Sequence, residues 1–312
     1  MSGRNLPPEL HGLLLVDKPE GLTSAAVVAR VKRALGQRKV GHLGTLDPFA
    51  TGLLPVCIGE GTKIAPFLAD DVKSYVGDIV LGVATDTLDR TGTIVEEARV
   101  PPWSTERLAE ALARFRGDVL QTPPMYSALK RGGVPLYRLA RAGQSIEREP
   151  RPVRIAVFDA AWVGADRLRF AVTCSRGTYV RVLAEDLGRA LGTCAHLASL
   201  RRTVCGAFTV SAAVRLDDLE AALAEDRLPL LSPSLALGAL RAVTVDERTS
   251  VSIRRGQQWA LERLGPPKAS SETVRVADPG GGLIAIVTAT EGGTWQLARV
   301  FAADDPQPQH VH

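Results

Sequence analysis

A chain of 312 residues, 45 % hydrophobic and 23 % charged, is long enough for two domains and apolar enough for a sizeable core, which excludes wholesale disorder. The formal charge is only +4, but residues 21–46 carry five Lys or Arg and no acid, and residues 125–155 carry seven against two glutamates, leaving −6 for the rest. Two concentrated basic segments on an otherwise acidic chain fit a phosphate-following surface better than general stickiness, although each also reads as a solvated face.

Residues 1–11 read as a flexible lead. The apolar run 12–16, followed by Asp17-Lys18-Pro19, is a strand entering a turn. Thr23 or Ser24 caps a helix that runs to Leu35 and stops at Gly36. Its Val27, Val28, Val31 and Leu35 share one face, which leaves Arg30, Lys32 and Arg33 largely free. Next comes Lys39-Val40-Gly41-His42-Leu43-Gly44-Thr45-Leu46-Asp47-Pro48-Phe49-Ala50-Thr51-Gly52-Leu53-Leu54-Pro55, with three glycines, two prolines and one carboxylate. Such a stretch reads as a tightly specified loop. Residues 53–58 then form a buried strand, 62–68 a short helix, 73–83 a strand, 85–92 a polar loop and 93–95 an extended segment. Ser104 or Thr105 caps a helix with Leu108, Ala111, Leu112 and Phe115 at core spacing, ended by Gly117.

Residues 121–154 are rich in Pro, Gly and Arg and read as an insertion reaching over the substrate. Residues 168–174 alternate as a strand, Ser175-Arg176-Gly177 turns the chain, and 178–191 form a helix with Val180, Leu183, Leu187 and Leu191 inward. An acidic helix spans 217–227, and a Pro-containing stretch marks a boundary near residue 240. Beyond it, short extended runs at 243–245, 274–277, 283–287 and 295–300 alternate with Gly-rich turns, a small β-rich domain over 241–302. The tail begins at Ala303. Cys57, Cys174, Cys194 and Cys205 form no Cys-x-x-Cys pair, and His196 alone does not complete a zinc set, so buried thiols in a reducing compartment are expected. With no apolar signal core and no run long enough to span a bilayer, a cytoplasmic protein away from membranes is expected.

Asp47 before Pro48 is by spacing an ordinary turn aspartate. Its setting adds a second reading. A single carboxylate at the end of a basic, acid-free run suggests a polyanionic substrate with one reacting position. Arg181 falls in the first turn of its helix, where a cation opposes the dipole by roughly 0.3–1 kcal/mol. It is either a surface arginine or the partner of a nearby anion. Tyr75 and Leu200 by themselves read as core, and His42 as structural.

Five blocks in order carry a resemblance: Leu15-Val16-Asp17-Lys18-Pro19, the Asp47 loop, Lys73-Ser74-Tyr75, Cys174-Ser175-Arg176-Gly177-Thr178-Tyr179-Val180-Arg181, and His196-Leu197-Ala198-Ser199-Leu200-Arg201-Arg202-Thr203. The chain resembles the TruB family of tRNA pseudouridine synthases over nearly all of residues 12–210, with Leu43 standing where the family usually has Thr. The resemblance implies an α+β fold. Its catalytic core (12–238) has a mixed, largely antiparallel sheet flanked by helices and a basic RNA-gripping insertion (about 121–154). A small β-barrel-like PUA domain (241–302) follows. It implies isomerisation of uridine to pseudouridine at position 55 in the tRNA T-loop. By the same resemblance Asp47 would be the essential carboxylate, Tyr75 the active-site tyrosine, and Tyr179 and Arg181 a paired tyrosine and arginine.

The target base must leave its stack to reach Asp47. His42 suits the gap it vacates, and Leu200 the pocket's apolar floor. Lys18, Lys63 and the insertion, Arg141 included, would hold phosphates. The reaction gains and loses no atoms, so no cofactor or metal is expected. The expected partner is the tRNA T-arm, with no guide RNA, and the expected state a monomer. A non-catalytic RNA-binding module and a guide-dependent synthase are the alternatives.

Overall fold

The computed structural model describes residues 9–68, 72–102 and 104–302; residues 1–8 of the expected lead and the tail from Ala303 lie outside the described residues. The rest of that lead packs down, with the Glu60 N–H donating to His11 Nδ1 at 3.3 Å.

Strand β1 (Gly12–Lys18) is almost wholly buried. Its side chains alternate between two cores: Leu14 and Val16 face one with the helix residues Val27 and Val31, and Leu13 and Leu15 face another. A strand covered on both faces has to be apolar throughout, as this one is. Helix α1 (Ser24–Leu35) follows the sequence signals closely. Thr23 Oγ1 accepts from the Ala26 N–H, and Gly36 closes the helix at φ 64°. After β2 (Val40–His42) and the Asp47 loop comes β3 (Thr51–Ile58). The expected helix at 62–68 is instead a 3₁₀ turn, Gly59–Lys63, followed by α2 (Ala65–Leu68). The expected strand at 73–83 breaks at Gly82 (φ 86°) into β4 (Lys73–Leu81) and β5 (Val83–Thr85), which pairs with β6 (Ile94–Glu97).

Helix α3 (Thr105–Ala113) is capped by Ser104, and Gly117 opens β7 (Gly117–Gln121). A small hairpin, β8 (Lys130–Arg131) and β9 (Val134–Pro135), leads into α4 (Leu136–Arg141). Then come β10 (Arg151–Trp162), β11 (Arg167–Cys174), α5 (Val180–Ala190), β12 (Ala195–Cys205), β13 (Phe208–Thr209), β14 (Val214–Arg215), α6 (Leu219–Ala224), β15 (Leu230–Leu231) and α7 (Pro233–Ala236).

One mixed sheet of 11 strands runs β14-β1-β3-β12-β4-β11-β10-β7, with β2, β13 and β15 paired beside this path. Along it every pairing is antiparallel except β1 with β14 and β3 with β12. The β3–β12 pairing consists only of Arg201 with Thr51 and Arg202 with Gly52. The sheet therefore parts at its middle, and the Asp47 loop enters β3 at that parting. Gly52 permits the contact: at φ 99°, an added Cβ would stand 2.3 Å from the Arg202 carbonyl oxygen.

Strand β10 corrects the insertion's limits. Residues 151–154 and Gln121 pair in the sheet, so the excursion from it is 122–150. Arg151, Pro152 and Arg154 suggest a loop, and a register shift between Ile155 and Val157 breaks the strand's alternation.

Beyond residue 240, β16 (Ala242–Thr244), α8 (Glu247–Arg254), β17 (Thr273–Ala277), β18 (Leu283–Ala289) and β19 (Trp295–Val300) form a second unit. Its sheet runs β16-β17-β18-β19. It closes the second core of the main sheet, where Leu283, Ile286 and Phe301 join Leu13, Leu15, Leu53 and Cys57. Phe301→Ala is expected to cost about 3–5 kcal/mol of unfolding free energy, as loss of a buried aromatic does, read as a lower denaturant midpoint. An unchanged midpoint would show that the two units do not share this core.

Candidate active site

Two buried cations hold the Asp47 loop by its carbonyl oxygens. The Lys18 ammonium, fully buried at the end of β1, donates to Leu22 O (2.7 Å), Pro19 O (2.9 Å) and Pro48 O (3.2 Å). Burial pulls its pKa down to about 8, against the opposing pull of Asp47. The Arg202 guanidinium reaches from β12 to Leu53 O at 2.7 Å, Gly44 O at 3.2 Å and Thr45 O at 3.5 Å. Ser24, the first residue of α1, completes the clasp: the Leu46 N–H donates to Ser24 Oγ at 2.9 Å, and Ser24 Oγ is 3.1 Å from Leu46 O. Leu43 is buried, and its N–H donates to Pro55 O at 2.9 Å, so backbone and packing seat the position where the family usually has Thr.

Arg181, in the first turn of α5, meets Asp47 with two nitrogens: Nε donates to Oδ2 at 2.9 Å and Nη2 to Oδ1 at 3.3 Å. Nη1 donates to Thr87 O at 2.7 Å, and Nη2 also to Tyr126 O at 2.8 Å. A second acid flanks the guanidinium, with Asp89 Oδ2 3.8 Å from Nε. Asp89 is itself fixed, its Oδ1 accepting from Thr87 Oγ1 and the Thr91 N–H, both at 2.9 Å. The Arg181 side chain is 4 % exposed, whereas Asp47 keeps 35 % of its side-chain surface open. Asp47 thus sits deep in a cleft yet remains reachable. Burial raises its pKa above the ordinary carboxylate value and Asp89 adds to the rise, while Arg181 opposes it.

Asp47 opens onto a cavity of about 440 Å³ that also touches Tyr75, Tyr179, Arg181, Leu200 and Arg202. Tyr75 stands directly across β4–β12 from Arg202. Burial pushes its hydroxyl up to about 12, and the hydrogen-bonded Arg202 guanidinium opposes that. Tyr179 precedes α5 and is locked by Gln121, which accepts from its N–H at 2.7 Å and donates to its carbonyl at 3.1 Å. Buried Leu200 supplies apolar wall. Among the described residues, no group of three or more His, Cys, Asp or Glu side chains could hold a metal ion.

The chain matches the model of the N-terminal domain of TruB family pseudouridylate synthases over residues 32–180, and that of the tRNA pseudouridylate synthase B C-terminal domain over 181–243. The chain belongs to the TruB family. It is a pseudouridine synthase and hence an isomerase. Its relatives named tRNA pseudouridine synthase B include one from Geotalea uraniireducens, 42 % identical over 310 residues, covering 95 % of this chain and 99 % of that one. One from Burkholderia mallei is 45 % identical over 286 residues, covering 91 % and 94 %. Among solved structures, the chain in a Cbf5-Nop10-Gar1 complex superposes with a TM-score of 0.72 at 24 % identity over 94 % of this chain and 85 % of that one. That likeness concerns the fold, and the small C-terminal sheet fits a PUA-like domain.

The TruB-family cavity brings together Asp47, Tyr75, Tyr179, Arg181 and Leu200. Two expected phosphate contacts are placed otherwise. Lys18 is spent on loop carbonyls, with no surface to offer an RNA. Lys63 is tied to Glu60, donates to Val300 O at 2.9 Å and lies 5.5 Å from the Phe301 ring centroid, as a joint between the two units. Arg141 ends α4 exposed, 5.8 Å over the Tyr137 ring and outside the cavity lining. His42 lies on β2 opposite Val56, also outside that lining, with a buried Nδ1 that lacks a hydrogen-bond partner. Burial and Arg202 lower its pKa, favouring the neutral ring. Arg202, Asp89 and Gln121 were not singled out from the sequence. The adjacent Arg201-Arg202 pair within a motif was the one local signal.

An ammonium at 181 cannot reach Thr87 O, Tyr126 O and both Asp47 oxygens together. Charge-assisted hydrogen bonds contribute about 1.5–3 kcal/mol each, so Arg181→Lys is expected to slow single-turnover isomerisation on the order of 10²-fold while RNA affinity changes little. Equal losses in both would reduce Arg181 to a phosphate contact. If the ionised Asp47 is the reactive form, the rate falls as pH drops through its raised pKa. Asp89→Asn removes a like charge, so this acid limb should move to lower pH; a limb that stayed put or rose would contradict the electrostatic assignment.

Proposed function

We propose that this enzyme isomerises uridine to pseudouridine at position 55 in the T-loop of tRNA, without a guide RNA and as a monomer. The observation that carries the reading is the Asp47–Arg181 pair opening onto a cavity walled by Tyr75 and Leu200. About 440 Å³ lies in the usual range of roughly 300–1,000 Å³ for a small-ligand site, room for one extruded nucleoside. Its flat and apolar walls suit a uracil ring, and Asp47 is the acid among its lining residues.

The extruded uracil stacks against Tyr75 above Leu200, and Asp47 acts as nucleophile or base at the sugar or the ring. The N-glycosidic bond breaks, the uracil turns while held, and C5 joins the ribose. The C5 proton leaves and N1 gains one, so the product is an isomer of the substrate. Tyr75, a neutral hydroxyl at pH 7, is placed to handle a proton. The names of relatives 41–45 % identical over most of the chain favour tRNA as substrate. Exposed Arg138 and Arg141 suit the 122–150 excursion to grip the T-arm, with the 241–302 unit as a further RNA contact. Four free, buried cysteines and the lack of any helix long and apolar enough to cross a membrane, among the described residues, suit a cytoplasmic setting.

Carbodiimide mapping of an unmodified tRNA transcript incubated with the protein alone is expected to give a new reverse-transcription stop at the T-loop uridine. Asp47→Asn should bind the transcript and give no stop. A stop that persisted with Asn would remove Asp47 from the chemistry, and a stop that needed added RNA or protein would overturn guide-free action.

A further inference from the structure

Leu200, part of the cavity wall, also borders a second, more open groove of about 360 Å³. Arg90, Arg169 and Arg201 line it, with Glu20 and Asp78. None of these arginines belongs to the two basic segments of the sequence. Each is held by an acid. Arg90 Nη2 pairs with Glu20, Arg169 Nε donates to Asp78 Oδ1 at 3.0 Å, and Arg201 meets both Asp17 oxygens at 2.6 and 3.0 Å. Their side chains are 42, 68 and 39 % exposed respectively. Exposed ion pairs contribute only about 0–1 kcal/mol to stability, so stability does not account for three of them in one groove.

Their effect is orientation. Among the described residues, Arg169 uses only Nε and Arg90 only Nη2, which leaves each guanidinium with further N–H donors for a bidentate anion. A guanidinium already fixed by a carboxylate loses less freedom when it binds a second anion. Building on the proposed RNA substrate, we infer that this groove seats the sugar–phosphate backbone of the strand flanking the extruded base, with Arg90 and Arg169 gripping its phosphates. Leu200 is the partition: one nucleotide's base lies on its cavity side, and the neighbouring backbone lies on the other.

The test is the salt dependence of binding an unmodified tRNA transcript to the full chain carrying Asp47→Asn, which leaves the substrate unreacted. Adding Arg169→Ala or Arg90→Ala should reduce the slope of log K against log salt by roughly 0.7–0.9 each, while Arg169→Lys keeps it. An uncharged methylphosphonate at the linkage flanking the target uridine should weaken binding to the Asp47→Asn protein and leave binding to its Arg90/Arg169 double-alanine form unchanged. Alanine variants that melt normally and keep the full slope would overturn the groove. Conversion by the unaltered protein is scored separately. Conversion with unchanged slopes overturns the groove alone, and lost slopes without conversion overturn the activity while the groove stands.

Discussion

The contact between Arg181 and Asp47 is the constraint around which the catalytic half is arranged. Putting both charges below the surface costs several kcal/mol per ion before any attraction is counted, and such a pair survives only where geometry and further hydrogen bonds are good. Here four of the five guanidinium N–H groups are engaged: two nitrogens on the carboxylate, and further N–H groups on the carbonyl oxygens of Thr87 and Tyr126. Those carbonyls belong to the loop after β5 and the start of the insertion. One side chain therefore ties its own helix and both of these segments to Asp47. The pair's value lies in position more than in stability, and Asp89 on the flank keeps the guanidinium from turning away.

The surrounding electrostatics follow one design. Lys18 and Arg202 neutralise their burial on backbone carbonyls rather than on carboxylates. A cation satisfied in that way remains a source of positive potential. Among the described residues, the cavity lining holds Lys73, Arg176, Arg181 and Arg202 against one acid, Asp47. For the proposed reaction this helps twice: it opposes the desolvation that would protonate Asp47, and it favours negative charge on a uracil leaving the ribose. The cations that hold the loop's shape thus also set its charge.

Local signals carried part of this. The limits of α1 were legible because its cap, apolar stripe and terminal Gly36 all lie within the helix or next to it. The alternation of β11 and the Gly-rich turns beyond residue 240 were legible for the same reason. Asp47, Tyr75 and Arg181 were legible through ordered motifs, since neither a turn aspartate nor a first-turn arginine is specific by itself. What failed depended on partners distant in sequence. Lysines 18 and 63 read as free cations because nothing local announces that Pro48 O or Val300 O will meet them. Arg202 escaped notice because nothing local announces that Leu53 O and Gly44 O will meet its guanidinium. Strand β10 was hidden by two arginines, a proline and a register shift, and α8 by the weak apolar pattern of a short helix.

Leu43 joins the two halves of the molecule. It lines the cavity three residues before Leu46 and four before Asp47, and it belongs to the same buried cluster as Leu283, Ile286 and Phe301 of the C-terminal unit. A threonine there would place a hydroxyl where this chain needs apolar surface. The C-terminal unit is therefore part of the packing around the Asp47 loop. By covering Leu13, Leu15 and Leu53 it supports β1, which carries Lys18, and β3, which the Asp47 loop enters, and through Leu43 the packing reaches the cavity wall. Close-packed interiors transmit displacement rather than absorb it. The packing of the distal sheet thus bears on the same core that seats the Asp47 loop.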